Sequence, residues 1–128
     1  MARLLVVDDE EDIREFASNF FRRRRLDVHT AASGEEALDV INRERMDLVL
    51  LDLKMEGIDG METLRRIKQI DDTIKVIMVT GRKPDENNTH TDCMELGAFD
   101  YIHKPLQLDE LERIVMGALF PSENRLVP

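Results

Sequence analysis

Cysteine is nearly missing from this chain: Cys93 is the one thiol in 128 residues. No disulfide framework can exist within it, and a reducing compartment is the natural setting. Cys93 has no evident base nearby in sequence, so an inert, partly buried thiol is expected rather than a nucleophile. Long hydrophobic runs are also missing, and nothing approaches the ~20 apolar residues of a membrane span. The opening "MARLLVVDDEED" has too short an apolar stretch for a signal peptide, and acid follows at once. A cytoplasmic location with no membrane partner is the expectation. Excess positive charge is lacking too. Eighteen Lys and Arg face 27 Asp and Glu, a net charge of −9, which argues against direct binding of nucleic acid. That charge suits small cations and basic partner surfaces. Internal repeats and low-complexity segments are absent as well.

What is present is enough for one ordinary domain. Hydrophobic residues make up 42% and charged residues 35%, a globular rather than disordered composition. Three short apolar runs, "RLLVV" (3–7), "LVLL" (48–51) and "KVIMV" (75–79), show no polar alternation. Runs of that kind are central strands buried on both faces. "DVHTA" (27–31) and "FDYIH" (99–103) alternate more and are expected at sheet edges. Between the strands lie helical patterns. Ile13, Phe16, Ala17, Phe20 and Phe21 make one apolar stripe. Ala37, Leu38 and Ile41 follow Ser33, an expected N-cap with Glu36 three residues on. Met61, Leu64, Ile67 and Ile70 mark a third helix. Leu108, Leu111, Ile114, Val115, Ala118 and Leu119 mark the last, ended by Pro121. Strand and helix alternate five times, which predicts an α/β protein: a parallel sheet with helices on both faces and right-handed crossovers. Residues 1–120 are expected to form the domain and 121–128 a C-terminal tail or linker stub.

In such sheets ligands bind outside the carboxyl ends of the strands. Asp8, Asp9 and Glu10 follow the first run, Asp52 the third strand, Thr80 and Gly81 the fourth, Lys104 and Pro105 the fifth. An aspartate at the end of the buried run "LVLL" needs a reason, because burying a carboxylate without a partner is costly. Presentation of Asp52 at the same mouth as Asp8 and Asp9 supplies one. Two like charges ~4 Å apart repel by about 4 kcal/mol at an effective dielectric of 20. Either one carboxyl protonates or a cation neutralises the group. The all-oxygen donor set favours a hard ion, Mg²⁺ first, over zinc. With Lys104 and the Thr80 hydroxyl alongside, and Gly81 leaving room, the arrangement suits an anion, and a carboxylate there is a phosphoryl acceptor.

At this point the residues resemble the receiver domain of two-component response regulators. "LLVVDDEEDIR" (4–14), "DLVLLDLKMEGIDGMETL" (47–64), "VIMVTG" (76–81) and "GAFDYIHKP" (97–105) match its segments in order, over residues 3–120. The resemblance implies a doubly wound, five-stranded parallel sheet of flavodoxin-like order 2-1-3-4-5 with five helices. It implies a signalling switch that takes a phosphoryl group from a sensor histidine kinase or phosphotransfer protein onto Asp52, and passes the state to an output domain or protein. The chain then catalyses its own phosphorylation and dephosphorylation rather than acting as a conventional enzyme. By position, Asp8, Asp9, Asp52 and the backbone carbonyl of Lys54 would bind Mg²⁺. Thr80 and Lys104 would engage the phosphoryl group, and Thr80 with Tyr101 would form the switch. The bond before Pro105 would be cis. Lys54 and Arg82, each two residues beyond a site residue, would slow loss of the phosphoryl group. Two departures stand out. Glu56 occupies a position usually held by proline, and the stretch from Thr80 to Gly97 is about two residues longer than usual.

Blander readings exist for each feature. "DDEED" (8–12) on its own is a helix N-terminus carrying dipole-compatible acid, and Arg22–Arg25 a solvated helix C-terminus. Thr80 alone is a strand-end hydroxyl, and Tyr101 alone an edge-strand packing residue. His29, His90 and His103 share no ligand spacing and are expected at the surface. Three other functions compete. A haloacid-dehalogenase-type phosphohydrolase needs a second aspartate two residues after its nucleophile, where this chain has Lys54. A nucleotide or flavin binder needs a glycine-rich phosphate loop after the first strand, where this chain has acid. A degenerate receiver acting only as a binding module would not need all five site residues. In residues 82–96 the mediocre helix formers Asn87 to Asp92 predict a fourth helix of about two turns starting near Thr89, after a loop over 82–88.

Overall fold

The computed structural model describes residues 1–81 and 89–121. The order is β1 (Arg3–Val7), α1 (Glu11–Arg22), β2 (Asp27–Ala31), α2 (Gly34–Arg43), β3 (Leu48–Asp52), α3 (Gly60–Ile70), β4 (Lys75–Thr80), α4 (Thr89–Glu95), β5 (Asp100–His103) and α5 (Leu108–Leu119). The five strands are parallel, in the order β2-β1-β3-β4-β5. The two alternating runs are therefore the edge strands, and the three apolar runs the interior ones.

Alternation along each strand feeds two cores. Leu4, Val6, Leu48, Leu50, Ile77, Val79 and Ile102 pack with Ala17 and Phe21 of α1 and Leu111, Val115 and Ala118 of α5. Leu5, Val7, Val49, Leu51, Val76 and Met78 pack on the other face with Ala37 and Ile41 of α2, Leu64 and Ile67 of α3 and Cys93 of α4. The central strands read as unbroken apolar runs because both faces are covered.

Local chemistry sets the boundaries. The Ser33 hydroxyl accepts from the Glu36 amide at 3.1 Å, and Glu36 returns a carboxylate to the Ala32 amide at 3.1 Å. That is a capping box shifted by one residue. Asp59 caps α3 by accepting from the Glu62 amide at 2.9 Å. α4 spans the two turns expected from Thr89. The loop expected over 82–88, with Arg82, and residues 122–128 of the expected tail lie outside the described residues.

Not every residue of the apolar stripes is covered: Phe16, Ile70 and Leu108 are each more than two-fifths exposed, the latter two at helix ends. Two of the histidines depart from the surface expectation, and the His90 side chain lies outside the described residues. His29 is half-buried between Asp27 at 3.4 Å and Glu44 at 3.3 Å, and His103 is half-buried against Tyr101. Of the arginine run, Arg24 is not merely solvated, since its guanidinium lies over the Phe20 ring at 3.6 Å and pairs with Glu112 at 2.6 Å. Cys93 is buried as expected, and burial pushes its thiol up to about 11. Among the described residues no helix is long and apolar enough to cross a membrane.

Candidate functional site

Strand ends position the site. β1 stops at Val7, and the next residue, Asp8, is held at each polar group. Its amide donates to the Ala31 carbonyl at 3.2 Å. Its carbonyl accepts from Arg14 Nη1 at 2.7 Å, and its Oδ1 from the Glu10 amide at 2.9 Å. Asp52 is the last residue of β3 and is only 4% exposed. Its Oδ1 accepts from the Lys54 amide at 3.3 Å, a short-range turn that fixes the carboxylate's direction. The same end of the sheet receives Lys104 just after β5. The Lys104 amide donates to the Thr80 carbonyl at 2.7 Å, and the bond to Pro105 is cis, as expected. The ammonium lies 3.4 Å from Asp8 Oδ2 and 3.5 Å from Asp52 Oδ2.

Carboxylate oxygens of Asp8, Asp9 and Asp52 lie within 4.8 Å of one another. The crowding expected of them is present, and its cost falls on Asp52. Burial, then the charge on Asp8, pushes its carboxyl up from 3.8 to about 6, against the opposing pull of Lys104 and the Lys54 amide. Burial works against the Lys104 charge as well, yet Asp52 and Asp8 hold its pKa above the ordinary lysine value. Among the described residues, three carboxylates meet one close ammonium, and negative charge is left over between them. A divalent cation with oxygen preference fits this donor set, and Asp8, Asp9 and Asp52 are the side chains that could hold it. An open cavity of about 410 Å³ lined by Asp9, Lys54, Glu56, Asp59 and Met61 gives access from solvent.

Thr80 is buried at the end of β4. By strand alternation it shares the face of Val76 and Met78, the face on which half-buried Tyr101 also packs. The Tyr101 ring meets His103 edge-on, with centroids 5.0 Å apart. Asp8, Asp9, Asp52 and Lys104 thus form one cluster, Lys54 touches it through its amide, and Thr80 borders it through its backbone. Tyr101 stands one strand position further down the same face as Thr80.

Three residues of the site's frame escaped the sequence reading. Asp59 and Gly60 form a capping pair whose signal was available as Asp-Gly before an apolar period. Gly60 is required by proximity, since a Cβ there would sit 2.6 Å from the Asp52 carbonyl oxygen and from Leu53 Cα. Arg14, bound to the Asp8 carbonyl across the β1–α1 turn, gave no signal separable from ordinary helix surface.

Comparison with known proteins agrees with this fold. Residues 4–116 match the family model described as the response regulator receiver domain. The chain is 40% identical over 122 residues to sporulation initiation phosphotransferase F of Bacillus subtilis, covering 95% of this chain and 97% of that protein. It is 36% identical over 117 residues to the regulatory protein AtoC of Escherichia coli, of which it spans 25%. A CheY-like receiver domain protein from Methanospirillum hungatei superposes with a TM-score of 0.88 at 30% identity, over 98% of each chain. With the fold order, the family model and a relative of matching length in agreement, the chain belongs to the response regulator receiver domain family of two-component signalling.

Proposed function

We propose that Asp52 is the phosphoryl acceptor of this receiver domain and that its phosphorylation requires Mg²⁺. The observation that carries the reading is the convergence of the Asp8, Asp9 and Asp52 carboxylates within 4.8 Å, with Lys104 3.4–3.5 Å from two of them. Asp8, Asp9, Asp52 and the Lys54 backbone carbonyl would hold the cation. When bound, Mg²⁺ would offset the charge of the carboxylates and of the incoming phosphoryl oxygens. A carboxyl with a pKa near 6 is mostly ionised at neutral pH, so Asp52 is a competent nucleophile. One of its oxygens forms a bond to phosphorus as the P–N bond of a donor phosphohistidine breaks and the imidazole leaves with the electron pair. Lys104 then pairs with the transferred group, and the Thr80 hydroxyl donates to it. Because Thr80 and Tyr101 share a sheet face, movement of Thr80 toward the phosphoryl group opens space into which Tyr101 turns.

The donor is a sensor histidine kinase or a phosphotransfer protein, and the reader is an output domain or protein, in a cytoplasmic setting. The chain promotes its own phosphorylation and dephosphorylation. Lys54, two residues after Asp52, weighs against the haloacid-dehalogenase-type alternative, which needs an acid there. Incubation with acetyl phosphate tests the reading: intact mass should rise by one phosphoryl group with Mg²⁺ and stay unchanged with chelator. Equal labelling in both conditions would remove the metal from the account.

A further inference from the structure

We infer that Arg14 is a positioning residue for cation binding, acting through the peptide plane between Asp8 and Asp9; this rests on the reading of the acidic cluster as the Mg²⁺ site. The Asp8 carboxylate is secured twice without Arg14, by the Glu10 amide at 2.9 Å and by Lys104 at 3.4 Å. Asp9 differs. It is exposed, and among the described residues no hydrogen bond holds its carboxylate. Where that carboxylate stands is set by the backbone that carries it, and the carbonyl of Asp8 defines the plane of the Asp8–Asp9 peptide. Arg14 Nη1 donates to that carbonyl at 2.7 Å, a short charge-assisted bond. The arginine sits in the first turns of α1 and is half-buried, so its own side chain is restrained. The bond therefore ties the β1–α1 turn to the helix and aims Asp9 at Asp8 and Asp52.

Two effects of Arg14 oppose each other, which makes the inference decidable. Its positive charge near the cluster disfavours a cation, while its hydrogen bond arranges the ligands that bind one. Partners that orient metal ligands from behind are worth roughly 10- to 100-fold in metal affinity, and the inference is that arrangement wins.

The test is calorimetric titration of Mg²⁺ into the whole chain without any phosphodonor. Proteins compared are the wild type, Arg14→Met, Arg14→Lys, Asp9→Asn and the double variant Arg14→Met with Asp9→Asn. Circular dichroism melts confirm that each is folded. Arg14→Met should weaken Mg²⁺ binding about 10-fold. Arg14→Lys, which keeps a donor and the charge, should fall between it and the wild type. In the Asp9→Asn background Arg14→Met should cost little more, because the carboxylate it aims is gone. Binding by Arg14→Met as tight as wild type or tighter would overturn the inference, as would an equal loss in both backgrounds. A wild type that binds no Mg²⁺ would overturn the reading of the site itself, and the inference with it.

Discussion

Asp52→Asn should make the metal-free protein more stable at neutral pH, although it removes the central residue of the site. The side chain is 4% exposed, and burial together with Asp8 raises its carboxyl from 3.8 to about 6. Ionised Asp52 is therefore less favourable in the folded chain than in the unfolded one. At about 1.4 kcal/mol per pH unit, that rise corresponds to about 3 kcal/mol. The sign fixes the pH window. Below about pH 4 Asp52 is protonated in both states, and the variant has no advantage. The advantage grows as pH rises from about 4 through about 6 and is complete above that. Asparagine keeps the shape and can still present an oxygen to Lys104. Thermal melts in chelator at pH 4, 6 and 8 would read a difference near zero, then intermediate, then roughly 10 °C. Saturating Mg²⁺ should shrink or invert the difference, since a ligand that binds the native state stabilises it. A variant less stable than wild type at pH 8 in chelator, or a difference that ignores pH, would refute the crowding argument.

Two further substitutions test the frame. Gly60→Ala should destabilise by about 2 kcal/mol or more, because its Cβ would meet backbone atoms of Asp52 and Leu53 at 2.6 Å. Urea melts check this, and a neutral outcome would mean that β3 and α3 can separate at no cost. Ser18→Ala should stabilise by about 1 kcal/mol, since the Ser18 hydroxyl is buried with no hydrogen-bond partner among the described residues. A loss of stability in the same melts would show that the hydroxyl is satisfied in solution.

Most of the fold was legible because burial on two faces leaves a signature that a sequence cannot hide. "RLLVV" and "DVHTA" coincide with β1 and β2 residue for residue. The ends of β3 and β4 moved by one residue, to Asp52 and Thr80, because the ladder continues into the polar residue that each strand delivers. The acidic cluster was legible by the same logic, since strand ends in a parallel sheet meet at one edge. What stayed hidden depends on distances between elements. Gly60 looks like any turn glycine until α3 is seen to start against the β3 backbone. Arg14 belongs to a helix face by periodicity, and only the turn of the chain brings its guanidinium to the Asp8 carbonyl. Phe16, Ile70 and Leu108 read as core from their spacing, yet all three are more than two-fifths exposed, Ile70 as the last residue of α3 and Leu108 as the first of α5.

The most direct test of the account labels wild type and Asp52→Asn side by side with acetyl phosphate and Mg²⁺, followed by intact mass and peptide mapping. A gain of about 80 Da, one phosphoryl group, is expected on the wild-type peptide that contains Asp52, and none on the variant. The same adduct on the variant, formed at the wild-type rate, would contradict it.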